Sequence, residues 1–226
     1  MIQFGMIQVA GVRCVDEGRM LLDCGVDLLG FPLRLPVHAE DTSEAEARRI
    51  IRAVGPPACV LITYEADPGR LVDLCRFLGV RTVQMHAAVG SETLARIKTA
   101  CPLRIFKSYV VGREALSPTE FVGAYASVCD AFITDTFDPA TGASGATGQI
   151  HDWSVSAELV RVSPRPVILA GGLTPCNVAR AIGVVQPSAV DAHTGLEAPD
   201  GFKDKELVRA FVRAARVGFG ALPRSI

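Results

Sequence analysis

Pro166-Val167-Ile168-Leu169-Ala170-Gly171-Gly172-Leu173-Thr174-Pro175 joins an apolar run of strand length to two glycines and a hydroxyl-proline helix start. It reads as a β-strand, a turn that allows close backbone approach, and the first turn of an α-helix. The same succession recurs along the chain. Strands are expected over Phe4–Ala10, Asp27–Phe31, Ala58–Tyr64, Thr82–His86, Arg104–Val110, Ala131–Thr136, Pro166–Gly171 and Ala189–Ala192. Helices are expected over Val15–Cys24, Ser43–Val54, Pro68–Leu78, Ser91–Thr99, Ser117–Val128, Asp152–Val162, Thr174–Val185 and Lys203–Val217. Several strands are continuously apolar, as in a parallel sheet covered by helices. Ser43-Glu44-Ala45-Glu46 has the form of a capping box, Ser117-Pro118 and Thr174-Pro175 place a capping hydroxyl before proline, and Gly25 and Gly79 stand where left-handed helix stops occur. Eight βα units predict an α/β fold, a single (β/α)8 TIM barrel occupying residues 1–226 as one domain. A doubly wound open sheet is the alternative, disfavoured because no GxGxxG follows the first strand.

Composition narrows the function classes. The 226 residues are 49% hydrophobic and 21% charged, enough apolar side chain for a buried core and too little charge for disorder. Lys and Arg number 23 against 24 Asp and Glu, so the basic excess that nucleic acid demands is missing. No apolar stretch approaches the ~20 residues that cross a bilayer, and the start MIQFGMIQVAGVR has no basic segment before its apolar run, so no signal peptide is expected. Seven cysteines without a CxxC pair speak against a disulfide framework or structural zinc. The four histidines fall on different elements, so no metal site is expected, and no cofactor either. The expectation is a cytoplasmic protein, monomer or homodimer, whose partner is a small molecule rather than nucleic acid or membrane.

In such a barrel the active site is built from the C-terminal ends of the strands. Gln8 ends strand one, Arg34 follows strand two, Gln84 and His86 end strand four, Lys107 lies within strand five, Asp135 ends strand six and Asp191 ends strand eight. Asp135, a lone carboxylate in the apolar run Ala131–Thr136, is the candidate acid or base, because burial raises a carboxyl towards the range useful for proton transfer. A helix cap is the plainer reading. His86 and Lys107 are candidate assistants, each with a structural alternative: a satisfied core histidine, and a lysine pointing out of the barrel. Gly171 and Gly172, with His193, Thr194 and Gly195 in the next loop, form a candidate phosphate site. The loop at about 137–151, rich in Gly, Ala, Thr and Ser and including Gly148, is a candidate lid.

These residues carry a resemblance. PVILAGGLTPCNVARAI and SAVDAHTGLEAPDGFKDKELVRAFV are similar to PVxLAGGLxxxNVxxAI and VDxSSGxExxxGxKD of the phosphoribosylanthranilate isomerase family. FITDTF resembles its LLDT, SGATGQIHDW its GGTGxxFDW, TVQMHA its VQLHG and VDLLGF its ADxxGF. The resemblance covers essentially the whole chain and implies an Amadori rearrangement of an aminoaldose phosphate, with Asp135 as general acid. It also exposes departures. The family's KxCG carries the general base on its cysteine, and here Ala10 stands in Gln8-Val9-Ala10-Gly11. The family's SPRxV supplies an arginine for the anthranilate carboxylate, and here Val37 stands at the matching position, while the serine pair of loop eight is His193-Thr194. The first expectation is therefore a diverged enzyme acting on another phosphorylated, sugar-phosphate-like molecule by isomerase or lyase chemistry. The alternatives are a genuine isomerase whose base has moved, with Cys14, Gln8 or His38 as substitutes, and a non-catalytic ligand-binding barrel.

Overall fold

The structure is a computed structural model that describes residues 2–37, 39–144 and 148–222. The alternation of apolar runs and amphipathic segments folds into eight parallel strands: β1 (Met6–Ala10), β2 (Leu28–Leu33), β3 (Cys59–Thr63), β4 (Thr82–Met85), β5 (Arg104–Val111), β6 (Ala131–Asp138), β7 (Val167–Leu169) and β8 (Ala189–Ala192). Each pairs with the next, and β8 pairs with β1, so the sheet closes. The helices outside are α1 (Val15–Asp23), α2 (Glu44–Val54), α3 (Pro68–Leu78), α4 (Ser91–Ala100), α5 (Pro118–Tyr125), α6 (Trp153–Val162), α7 (Val178–Val185) and α8 (Lys205–Gly220). The fold is a (β/α)8 barrel.

Strand alternation divides the buried side chains into two cores. Ile2, Leu28, Val60, Phe106, Ala131, Ile168 and Ala189 fill the barrel, whereas residues of opposite parity, such as Ile7, Leu29, Leu61 and Phe132, pack against the helices. Each fully buried Leu, Ile or Phe contributes about 1.5–3 kcal/mol of transfer free energy. That parity decides Lys107. Phe106 faces inward, so Lys107 faces the helix layer, where its Nζ donates to the Ala87 carbonyl at 3.0 Å and lies 5.6 Å from the Tyr125 ring centre.

Element ends differ from the sequence expectation where side chains intervene. β1 starts at Met6 because Gly5, at φ +81°, turns the chain, and Phe4 leaves the sheet to pack edge-on against Phe219. β6 runs two residues beyond Thr136 and pairs antiparallel with Ala143–Ser144. The expected loop after Thr136 therefore opens as a hairpin, its turn held by Asp138 accepting from Ala140 N and Thr141 Oγ1. α7 begins at Val178 rather than Thr174: the Asn177 Oδ1 accepts from Thr174 N at 2.8 Å, and its Nδ2 donates to Gly172 O at 2.9 Å. Ser43 accepts from Glu46 N as expected, but Glu46 pairs with Arg49, and the full capping box is at Ser117 and Glu120.

The first and last units are sewn together by α1. Buried Glu17 accepts from Arg13 N through one carboxylate oxygen and from Lys203 N, 186 positions further on, through the other. At the opposite end of the barrel, Arg216 of α8 donates to the Gly5 carbonyl and pairs with Asp27.

Candidate active site

The strand C-termini open into a cavity of about 460 Å³. Of the residues singled out in the sequence, Gln84, His86, Asp135, Gly148, Gly171, Gly172, Asp191, His193, Thr194 and Gly195 line it, and so do Ala10 and Val37. Gln8 lies just below, buried in the barrel. Two candidates are elsewhere. Lys107 is outside the barrel wall, as parity requires. Arg34 takes a left-handed backbone, φ +58°, and its guanidinium turns outward to Glu44 and Glu65, both at 2.9 Å. Both are corrected: the first is a packed stem, the second an anchor for α2.

Asp135 ends an apolar strand and is buried, so removal of water raises its carboxyl to about 7, tempered by one hydrogen bond from Thr136 N at 2.8 Å. Asp191 also sits in the cavity. Burial pushes it well above the usual carboxylate range, the charge of Asp135 adds to that, and the Gln8 amide and the Lys203 ammonium only temper it. Two buried carboxyls that oppose each other's ionisation favour a protonated acid at neutral pH.

His86 belongs to a chain of amides. Gln8 Nε2 donates to Gln84 Oε1 at 2.9 Å, which leaves Gln84 Nε2 as donor to His86 Nε2 at 2.8 Å. The imidazole then keeps its proton on Nδ1, which has no partner among the described residues. Burial, with the Lys107 charge behind it, lowers its pKa to about 3. His86 is accordingly a neutral donor.

The glycines of loop seven are required sterically. A Cβ on Gly171, at φ +96°, would come within 2.3 Å of Thr136 Oγ1, and one on Gly172 within 2.6 Å of the Gln149 carbonyl. Loop six thus lies directly on loop seven, tied down by Thr136 Oγ1 donating to Gln149 O and by His151 bridging Thr136 and Ser156. Residues 145–147 of the expected lid are outside the described residues, as is His38.

Three lining groups escaped the sequence reading. Arg113 follows β5 and is, among the described residues, the one guanidinium or ammonium group lining the cavity. Tyr64 after β3 stacks on His86, ring centres 5.2 Å apart. Asp41, in the loop after β2, meets His193 and Glu197, the three ligand-type atoms lying within 4.8 Å of one another. That grouping could not be read from spacing, since Asp41 comes from another loop. The Lys203 ammonium already sits 2.6 Å from Glu197.

Comparison with known proteins bears on this cavity. A sequence profile of the family described as N-(5'phosphoribosyl)anthranilate (PRA) isomerase matches residues 27–214. "N-(5'-phosphoribosyl)anthranilate isomerase 2" of Methanosarcina mazei is 38% identical over 220 residues, 94% of this chain and 95% of its own length. The protein named N-(5'-phosphoribosyl)anthranilate isomerase in Halobacterium salinarum is 35% identical over 92% of this chain and 94% of its own. Among solved structures, phosphoribosyl anthranilate isomerase from Thermotoga maritima superposes with a TM-score of 0.78 at 26% identity, covering 96% of this chain and 99% of its own. Fold, strand-end residues and whole-length likeness agree, and the chain belongs to the phosphoribosylanthranilate isomerase family.

Proposed function

We propose that this protein isomerises N-(5'-phosphoribosyl)anthranilate to its aminoketose by an Amadori rearrangement. The observation that carries the reading is Asp135, a carboxyl held near neutrality in a cavity whose rim is formed by Gly171, Gly172, Thr194 and Gly195. Backbone amides at such a rim suit the phosphate. A protonated Asp135 suits delivery of a proton to the ribose ring oxygen, which opens the ring to a Schiff base. Loss of the C2 proton then gives the enolamine, which tautomerises to the ketone. The product is an isomer of the substrate, so the rearrangement consumes neither oxidant nor reductant.

The substrate has a second anion, the aryl carboxylate. The loops ring the mouth in order, so loops three to five face the phosphate loops from across the cavity. Arg113, after β5, supplies a cation on that side, and the apolar Pro32, Ile62 and Tyr64 flank the space for the ring. A changed reaction was the first expectation from Ala10 and Val37. It has less support, because Arg113 answers the absence of a cation at Val37 and because the named relatives are isomerases along nearly their full length. The test is turnover: purified protein given N-(5'-phosphoribosyl)anthranilate consumes it, followed through the fluorescence of the aryl amine. Absence of turnover by protein that binds the reduced product returns the reading to a changed reaction.

A further inference from the structure

We propose that His193, at the end of β8, is the general base that removes the C2 proton, in place of the cysteine that Ala10 has displaced; this rests on the isomerase reading. β1 and β8 pair from Met6 with Ala189 to Val9 with Ala192, and Ala10 and His193 are the residues that follow that last pair on the two chains. The ring packs onto the backbone of loop one. A Cβ on Gly11, at φ +82°, would come within 2.1 Å of His193 Nε2, so only glycine admits the imidazole there. His193 lines the same cavity as Ala10 and Asp135. The family motif has serine at this position and cysteine at the position of Ala10, so the loss of one base and the gain of another fall side by side at the ends of neighbouring strands.

The surroundings fit a base. Nε2 faces Glu197 Oε1 at 3.3 Å and Asp41 Oδ2 at 3.5 Å, from loops eight and two, and Lys203 Nζ balances Glu197 at 2.6 Å. Arg13 of loop one acts on Asp41 from further off. Both carboxylates lie on the Nε2 side of the ring, close to it but outside hydrogen-bond geometry, and Nδ1 is the nitrogen left to take the proton. Among the described residues the other candidates fall short. Cys14 does not line the cavity and caps α1, its Sγ accepting from Glu17 N at 3.5 Å. Gln8 is an amide, the Nε2 lone pair of His86 is engaged by Gln84, and Asp191 is held towards its protonated form by burial and by the charge of Asp135.

The step balances. In the Schiff base, Nδ1 takes the C2 proton, the C2–H pair becomes the C1=C2 bond, and the C=N pair returns to nitrogen. The imidazolium then gives the proton to C1, and the enol O–H proton passes to the Asp135 carboxylate, restoring the acid spent on ring opening as C2 becomes the ketone.

The experiment compares the wild type with His193→Ser, His193→Gln and the double variant Ala10→Cys/His193→Ser. It measures kcat with C2-protiated and C2-deuterated substrate, and the affinity for the reduced, non-enolisable product. Loss of a general base lowers kcat by about 10² to 10⁴. Both single variants are expected to show that loss while binding the reduced product within a few-fold of wild type, with the deuterium effect increased. The double variant, its thiol back on β1, is expected to recover at least about tenfold. A single variant that keeps wild-type kcat removes His193 from the chemistry, and parallel loss of product binding reduces it to a structural group. Inactivity of the wild type overturns the isomerase reading instead, so the two failures are distinguishable.

Discussion

Asp135 has two consequences that run in opposite directions. As the acid it must carry its proton, so kcat/KM is expected to fall as pH rises through about 7. As a buried carboxyl its folded pKa lies above the unfolded value of ~3.9, so between the two values the native state binds the extra proton and stability declines as pH rises. Asp135→Asn is therefore expected to lose about 10² to 10⁴ in turnover. At pH 8 it should melt higher than the wild type, by up to a few kcal/mol, a gain that vanishes near pH 4; thermal melts across that range check it. Arg113→Met is expected to raise KM about tenfold or more with a smaller change in kcat, read by steady-state kinetics, because a charge-assisted contact is worth roughly 1.5–3 kcal/mol. At this scale the sequence revealed what a strand end reveals. Asp135 stood out as a lone carboxylate closing an apolar run. Lys107 required knowing that Phe106 points inward, and Arg34 required the left-handed backbone that swings it to Glu44 and Glu65. Arg113 stood directly after a strand, where a site residue belongs, but Asp41 entered the cavity from mid-loop, with no periodicity to mark it.

Among the elements, the succession of strands and helices was plain because both faces of a covered parallel strand are apolar and helix starts carry their caps. Their ends were less plain, because side chains settle them. Thr174 has the composition of a cap, yet Asn177 three residues later bonds back to it and to Gly172, drawing the chain into a turn before α7. β6 likewise continued past Thr136 because Ala143–Ser144 offers it a partner. The Asn177 brace holds the glycine pair in place. Asn177→Ala leaves one donor and one acceptor unpaired, and is expected to cost about 1–3 kcal/mol of stability and to weaken binding of inorganic phosphate. Denaturant unfolding and a phosphate titration check both; unchanged phosphate affinity would separate the brace from the anion site.

Across the whole molecule, the closed sheet leaves no free edge, and its seam between β8 and β1 is reinforced at both ends. Glu17→Ala removes the acceptor of two backbone amides joining residues 13 and 203. It is expected to cost about 2–3 kcal/mol, read from a denaturant midpoint at unchanged slope. It should also lower turnover, since the same seam carries Gly11 against His193. The seam also orders events in time. β1 is the first strand made and β8 the last, so half of the hydrogen bonding of β1 waits for residues 189–192, and the two amides held by Glu17 wait for residue 203. Contacts so distant along the chain form late and slow the overall reaction. A nascent chain halted at Ser188 therefore has seven strands and an open gap where the eighth belongs, with β1 and β7 both exposed as edges. Amide exchange on that truncated chain is expected to be fast along β1 while the interior strands β3 and β4 stay protected.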